Sequence, residues 1–246
     1  MKVVAVIPAR YGSTRFPGKP LANIKGKAMI EHVYLNVLQA ESIGEVWVAT
    51  DDQRIIDKVE AFGGKCILTS GNHQTGTDRI AECLSVINAD IIINVQGDEP
   101  LIEGKMLDEL ILSFKEHPEL QMATFKSKIK HLSDVDDPNV VKVIANSDGK
   151  AIYFSRSPIP YNRDMRDDVD YYKHIGVYAY KKSFLSQFVK LQQSPLELAE
   201  SLEQLRALEN GISIKVVDTD HILISVDTPE DLRRVEDYLD ENSGVE

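Results

Sequence analysis

Strand-length apolar runs alternate with segments of helical period across the first half of the chain, and that alternation admits few folds. Residues 2–7, 45–50, 65–69 and 91–96 are expected to be strands. Between and after them, residues 28–40, 52–62, 77–88 and 104–116 repeat their apolar positions at helical spacing. Ile91, Ile92, Ile93 and Val95 make an almost unbroken apolar run, as in a strand covered on both faces. A βαβ series of this kind builds a parallel sheet with right-handed crossovers.

The second half is richer in strands. Runs at 121–126, 140–145, 150–155 and 174–181 follow one another with little helix between them. A helix is expected over 195–210, with Leu198, Leu202 and Leu205 on one face. Strands at 212–217 and 222–226 and a helix from 229 follow. No Pro/Gly/Ser linker or internal repeat interrupts the 246 residues. The expectation is a single α/β domain with a mainly parallel central sheet flanked by helices and a smaller β-rich subdomain. Residues 1–120 and 121–246 would form the two halves of that domain.

Composition narrows the partners. Twenty-eight Lys and Arg against 39 Asp and Glu give a net charge of −11, which repels nucleic-acid phosphates. No run reaches the roughly 20 apolar residues of a membrane span. The chain opens directly on a strand pattern with no signal-peptide-like segment, which points to the cytoplasm. Cys66 and Cys83 lie in apolar stretches without metal-ligand spacing and are expected to be buried thiols. An anionic small molecule remains compatible with this surface where Arg and Lys converge.

Ligands of open parallel sheets sit at the carboxyl ends of the strands, so the segments after the strands carry the chemistry. The first strand ends in IPARYGSTRFPGKPL, residues 7–21, which holds Arg10, Arg15 and Lys19 together with Gly12, Gly18, Ser13 and Thr14. Glycine lets backbone N–H groups approach an anion, and Arg and Lys neutralise it. The pattern is neither GxxxxGK[ST] nor GxGxxG. The fourth strand ends in Gly97-Asp98-Glu99-Pro100, where a turn sets Asp98 at the strand tip; a hard carboxylate there suits Mg²⁺. Glu99 reads as a surface charge. In VDTPEDL, Thr228 is the expected N-cap, Pro229 the first helical residue, and Glu230 and Asp231 first-turn acids. Asp227 precedes the cap and is free of capping duty. Arg156 follows a strand and precedes a proline-bounded loop. His174 enters a strand, where a core role and a ligand role both fit. Glu203 and Gln204 are either ligand contacts or the polar flank of the 195–210 helix. Arg79 lies near a helix start, with Thr77 as a candidate N-cap. His32, His117, His131 and His221 carry no assignment.

With these residues the chain resembles the 3-deoxy-manno-octulosonate cytidylyltransferases (CMP-Kdo synthetases) along nearly its whole length. The blocks HQTGTDRI (73–80), VQGDEPLI (95–102), NVVKV (139–143), YFSRSPIP (153–160), KHIGVYAY (173–180), SPLELAESLEQLR (194–206) and VDTPEDL (226–232) occur in the order seen in that family. The resemblance implies a nucleotide-diphospho-sugar-transferase fold, Mg²⁺ dependence and a homodimer. It places Pro8, Ala9, Arg10, Ser13, Lys19 and Arg79 at the nucleotide. Gln96, Arg156, His174, Glu203 and Gln204 fall at the sugar, with Arg156 on the sugar carboxylate. Asp98 and Asp227 become metal ligands, and these two with Arg10 and Lys19 the catalytic set. The implied reaction transfers CMP from CTP to an eight-carbon acidic sugar. Two departures stand out: HILIS replaces a Gly-rich approach to Asp227, and SPLELAES replaces a more basic pattern. They leave open a sugar altered at carbon 8, such as 8-amino-Kdo. Another acidic-sugar nucleotidyltransferase of the same fold, or a nucleotide-binding module without turnover, is the alternative.

Overall fold

A computed structural model describes residues 1–12 and 16–242. Ser13, placed at the nucleotide by resemblance, and its neighbours Thr14 and Arg15 lie outside the described residues. The chain divides into two compact units, one of residues 1–108 with 222–246 and one of residues 109–221.

In the first unit the expected βαβ series is present: Val3–Ala9 (β1), Met29–Val37 (α1), Glu45–Thr50 (β2), Gln53–Ala61 (α2), Cys66–Leu68 (β3), Gly76–Cys83 (α3) and Ile91–Asn94 (β4). Helix α4 follows at Gly104–Glu116. The strands lie in the order β3-β2-β1-β4, each pair parallel. Strand order thus reverses beside β1, and the crevice at such a reversal is where ligands of open sheets bind. Val3 to Ile7 and Ile91 to Ile93 are at most 2 % exposed, which is the two-sided burial their apolar runs predict. The helix Pro229–Asn242 returns to this unit through Val235, which packs with Ile24, Met29, Leu101 and Val226.

The segment 222–226 belongs to no strand, contrary to expectation. Its Val226 N–H donates to the Asp98 carbonyl at 2.9 Å, and Ile224 and Val226 pack into the same apolar cluster. The HILIS departure is therefore absorbed by core packing.

The second unit is built on Met122–Lys128 (β5), Lys142–Ala145 (β6), Ala151–Ser155 (β7), Tyr172–Lys181 (β8) and, after three helices, Ile214–Asp218 (β9). β5 pairs parallel with β9 and antiparallel with β8, while β6 pairs antiparallel with β7 and β8. A bulge interrupts β8 between Ile175 and Tyr178. The three helices between β8 and β9 are Lys182–Phe188 (α5), Pro195–Glu200 (α6) and Gln204–Glu209 (α7), and the helix Pro229–Asn242 is α8. Helix α5 was not expected from the sequence; its Phe184 and Phe188 stack with Tyr180 and with each other, and Leu185 is buried beside them.

One helix was expected over 195–210, and two occur. Ser201 adopts a left-handed backbone (φ 52°, ψ 48°) that ends α6. The break takes Leu198 off the Leu202/Leu205 face: Leu198 is 61 % exposed, whereas Leu202 and Leu205 are buried. Among the described residues no helix is long and apolar enough to cross a membrane.

Candidate active site

A cleft of about 290 Å³ in the first unit opens at the carboxyl ends of β1 and β4, and Pro8, Ala9, Arg10, Lys19, Arg79, Gln96, Asp98 and Asp227 all line it. His73, Thr75, Gly76, Gly97 and Pro20 complete the wall. Two glycines let the backbone close on strand β1: a Cβ at Gly97 would stand 3.2 Å from the Pro8 carbonyl oxygen, and one at Gly76 would stand 3.1 Å from the Pro8 ring. The loop after β1 is closed by Gly18 (φ 72°), whose N–H donates to the Tyr11 carbonyl at 2.9 Å. Lys19 begins a 3₁₀ turn immediately afterwards.

The Lys19 ammonium lies 2.7 Å from Asp98 Oδ2 and 3.3 Å from Asp227 Oδ1. Two carboxylates remote in sequence therefore converge on one point, and a positive group occupies it. Their side chains remain 30 % and 46 % exposed. Hard oxygen donors converging where a cation already sits are the donor set a magnesium-type ion requires, with substrate phosphates and water filling the remaining positions. The residues present fit such an ion.

Each aspartate is set by its local backbone. The Glu99 N–H donates to the Gln96 carbonyl at 3.3 Å, closing a turn with Gly97 and Asp98 at its centre. Asp227 is held through its own N–H, which donates to Asp231 Oδ2 at 3.1 Å; the Thr228 N–H and hydroxyl donate to the same oxygen at 3.0 and 2.8 Å. The Asp231 N–H returns a bond to Thr228 Oγ1 at 3.3 Å, the reciprocal pattern of a capping box. Burial pushes the Asp231 carboxyl up, but these hydrogen bonds and Arg234 hold it below its ordinary range. Asp231→Ala is expected to lower stability by about 1 kcal/mol, the usual cost of a lost cap, read as a fall of roughly 2–4 °C in Tm. An unchanged Tm would show that the box does not hold the α8 terminus.

Helix α3 presents its N-terminus to the cleft through Thr75 and Gly76. Thr75, rather than the expected Thr77, is the N-cap: its hydroxyl accepts the Asp78 N–H at 3.1 Å and Asp78 returns the bond. Thr77 is buried instead. Arg79 lines the cleft but is 4 % exposed, and it donates to Thr69 Oγ1 at 2.5 Å and the Ser70 carbonyl at 3.3 Å, with Asp51 3.4 Å away. It braces the loops after β2 and β3 against α3. Gln96 donates to Asn94 Oδ1 at 3.0 Å.

Glu99 is not the surface charge its turn suggested. It is 7 % exposed, and its Oε1 accepts the Ser225 hydroxyl. Pro100 and Leu101 are buried behind it, so the turn dips into the core after Asp98. His73, whose Nε2 meets Glu82 Oε2 at the rim, also escaped the sequence reading; nothing in the spacing of HQTGTDRI sets it apart.

The other candidates lie in the second unit. Arg156 donates from Nε to the Glu200 carbonyl at 2.7 Å and from Nη1 to the Pro138 carbonyl at 2.8 Å, with a longer 3.4 Å bond to the Ser201 carbonyl. Its own N–H and the Ser155 hydroxyl are both held by the Glu200 carboxylate. The backbone carbonyls thus fix the guanidinium plane. Lys142, fully buried in the NVVKV block, donates to the Asp137 carbonyl at 2.9 Å, and burial pushes its ammonium pKa down.

His174 lies before the β8 bulge, edge-on to Phe154 with ring centroids 5.1 Å apart. The Thr124 hydroxyl donates into the bulge carbonyls of Ile175 and Val177 at 3.0 and 2.8 Å. The same oxygen lies 3.1 Å from His174 Nε2, which ties the ring to the bulge. Burial lowers the imidazole pKa to about 3, so the ring is neutral at physiological pH. Gln204 is 5 % exposed, and its side-chain Nε2 has no hydrogen-bond partner among the described residues. Glu203 lies 3.8 Å from the Arg206 guanidinium.

Cys83 is buried and Cys66 only half-buried, and both are free thiols. Burial, aided by neighbouring Glu82 and Glu60, pushes both up to about 12, which removes them as nucleophiles.

The cytidylyltransferase family model matches residues 4–214. A 3-deoxy-manno-octulosonate cytidylyltransferase from Geobacter sulfurreducens is 53 % identical over 97 % of this chain and 100 % of its own length. One from Trichlorobacter lovleyi is 49 % identical over 97 % of this chain and 99 % of its own. Among solved structures, CMP:2-keto-3-deoxy-manno-octonic acid synthetase complexed with CTP superimposes with a TM-score of 0.94 at 45 % identity, covering 98 % of this chain and 99 % of that one. The 4-diphosphocytidyl-2C-methyl-D-erythritol synthase from Anaerococcus prevotii, at 19 % identity and a TM-score of 0.65 over 97 % of this chain and 98 % of its own, shares the fold. With the cleft geometry, these similarities show that the chain is a nucleotidyltransferase-fold protein belonging to the 3-deoxy-manno-octulosonate cytidylyltransferase family.

Proposed function

We propose that the protein transfers CMP from CTP to the anomeric hydroxyl of Kdo, or of a close analogue such as 8-amino-Kdo, releasing pyrophosphate and supplying CMP-Kdo for lipopolysaccharide synthesis. The observation that carries this reading is the convergence of Asp98 and Asp227 on one cationic point inside the β1/β4 cleft. Asp98 and Asp227 would hold Mg²⁺, which supplies charge neutralisation at the phosphate oxygens and activation of the attacking hydroxyl. Lys19, between the two carboxylates, and Arg10, at the mouth of the cleft, offset triphosphate charge. The α3 N-terminus adds backbone N–H groups and a favourable dipole for the same anion. The hydroxyl displaces pyrophosphate at the α-phosphorus directly, and the protein works by positioning and charge.

On the sugar side, Arg156 takes the carboxylate, and its carbonyl-braced plane favours paired contact. Neutral His174 offers a ring nitrogen to a sugar hydroxyl, and the Gln204 amide supplies a donor. A homodimer in the cytoplasm is part of the same reading, carried by the family resemblance.

The test is pyrophosphate release across a panel of nucleoside triphosphates and acidic sugars, including Kdo and 8-amino-Kdo, with and without EDTA. CTP with an eight-carbon acid should be the productive pair, and chelation should abolish it. CTP binding without metal-dependent product would favour a non-catalytic module instead. Arg156→Ala should raise KM for the sugar by about 10–100-fold, the scale of a hydrogen bond to a charged group, and leave KM for CTP unchanged. Equal effects on both substrates would remove Arg156 from the sugar carboxylate.

A further inference from the structure

We infer that Glu99 is a positioning residue that fixes the separation of Asp98 and Asp227 through Ser225. The inference rests on the proposed reading of those two aspartates as cation ligands. Asp98 and Asp227 are brought together by two hydrogen bonds that do not involve their own side chains. The main chain supplies one, from the Val226 N–H to the Asp98 carbonyl at 2.9 Å. The Glu99 carboxylate supplies the other by accepting the Ser225 hydroxyl. Glu99 directly follows Asp98, and Ser225 stands two residues before Asp227, so the bond joins the two ligand-bearing segments through residues that do not line the cleft. Ser225 is exposed whereas Glu99 is 7 % exposed, so the contact runs from the surface of one segment into the buried base of the other.

A carboxylate is a costly choice for that position. Burying an ionised group requires hydrogen-bond compensation, and a third acid in a region that already holds two raises the repulsion between them. A glutamine could accept the same hydroxyl without the charge. An acid that both clamps the segments and deepens the negative potential makes physical sense where a divalent cation is bound. Groups that hold metal-ligating carboxylates from behind are worth about 10–100-fold in metal affinity or activity. The segment 222–226 belongs to no strand, so no sheet ladder holds Asp227 in place of the clamp.

The experiment titrates the whole protein with Mn²⁺ alone, followed by loss of the free-ion EPR signal, alongside kcat, KM for CTP and thermal unfolding. Glu99→Ala and Ser225→Ala should each weaken Mn²⁺ binding about tenfold or more and lower kcat more than they raise KM. The double variant should be no weaker than the worse single, because both remove one bond. Glu99→Gln, which keeps an acceptor for Ser225, should recover part of the loss. Wild-type Mn²⁺ affinity in Ser225→Ala, with binding lost in Asp98→Asn, overturns the clamp and spares the cation site. Undiminished Mn²⁺ binding in Asp98→Asn overturns the cation site and the clamp together. Should Glu99→Ala fail to fold, Ser225→Ala and Glu99→Gln still decide the matter, since the first leaves the side chain at 99 intact and the second keeps its size and an acceptor oxygen.

Discussion

Asp98→Asn and Asp227→Asn are each expected to lower turnover by roughly 10²–10³-fold, the scale of removing one preorganised electrostatic group from an active site. Both carboxylates face the Lys19 ammonium, so either substitution leaves one formal charge where the proposed site has two. Asparagine keeps the size and a carbonyl oxygen, and the lost quantity is therefore charge rather than shape. Folding should barely change. The aspartate side chains are 30 % and 46 % exposed, and exposed ion pairs contribute at most about 1 kcal/mol. The double variant should fall little below the worse single one, because two ligands of one ion act as a unit. Pyrophosphate release at saturating CTP and sugar, with Tm recorded on the same samples, checks all three statements. Near-normal turnover in either single variant would remove that aspartate from the chemistry.

The largest stability effect is expected at Arg206. Its Nε donates to Glu197 Oε2 at 2.7 Å and its Nη2 to Glu197 Oε1, and both side chains are 6 % exposed. Glu197 also caps α6, its carboxylate accepting the Ser194 N–H at 3.2 Å. Arg206→Met leaves a buried carboxylate without its main partner, and breaking such a pair costs about 3–5 kcal/mol. For a chain of this size that is a fall of roughly 10 °C in Tm. Glu197→Leu/Arg206→Met should recover most of the loss, because the uncompensated charge is then gone. Burial pushes the Glu197 carboxyl up, but Arg206 and the Ser194 N–H outweigh it and hold the pKa below its ordinary value. A lowered carboxyl contributes its stability above the unfolded pKa and loses it as pH falls through the folded one. The gap between wild type and Arg206→Met should therefore narrow on acidification below about pH 4. A gap that is the same at pH 3 as at pH 7 would show that packing of Arg206 on Phe188, 5.2 Å from the ring centroid, is what stabilises this region.

Much of the first unit was legible because its signals are local. The two-sided burial of β4 follows from Ile91, Ile92 and Ile93, and the α8 start from Thr228 and Pro229. Reading failed where a residue's fate depends on what packs against it. Leu198 fits a helical stripe with Leu202 and Leu205, yet a left-handed Ser201 splits the helix and leaves Leu198 in solvent. Ile222, Ile224 and Val226 alternate like a strand, but their segment is held by the turn at Asp98 and by the core beneath it. Thr75 and Thr77 both precede Arg79 in plausible capping positions, and only the hydrogen bonds choose Thr75.

By itself the sequence determined the βαβ frame, the basic glycine-containing loop after β1 and the presence of an aspartate near each end of the cleft-forming segments. Periodicity and turn chemistry act over a few residues and leave their mark in composition. Only the tertiary structure decided that Asp98 and Asp227 meet at Lys19, that Glu99 turns inward to Ser225, and that Thr124 orients His174. Those contacts join segments far apart in the chain, and their partners are set by strand order and chain crossings rather than by any neighbouring residue.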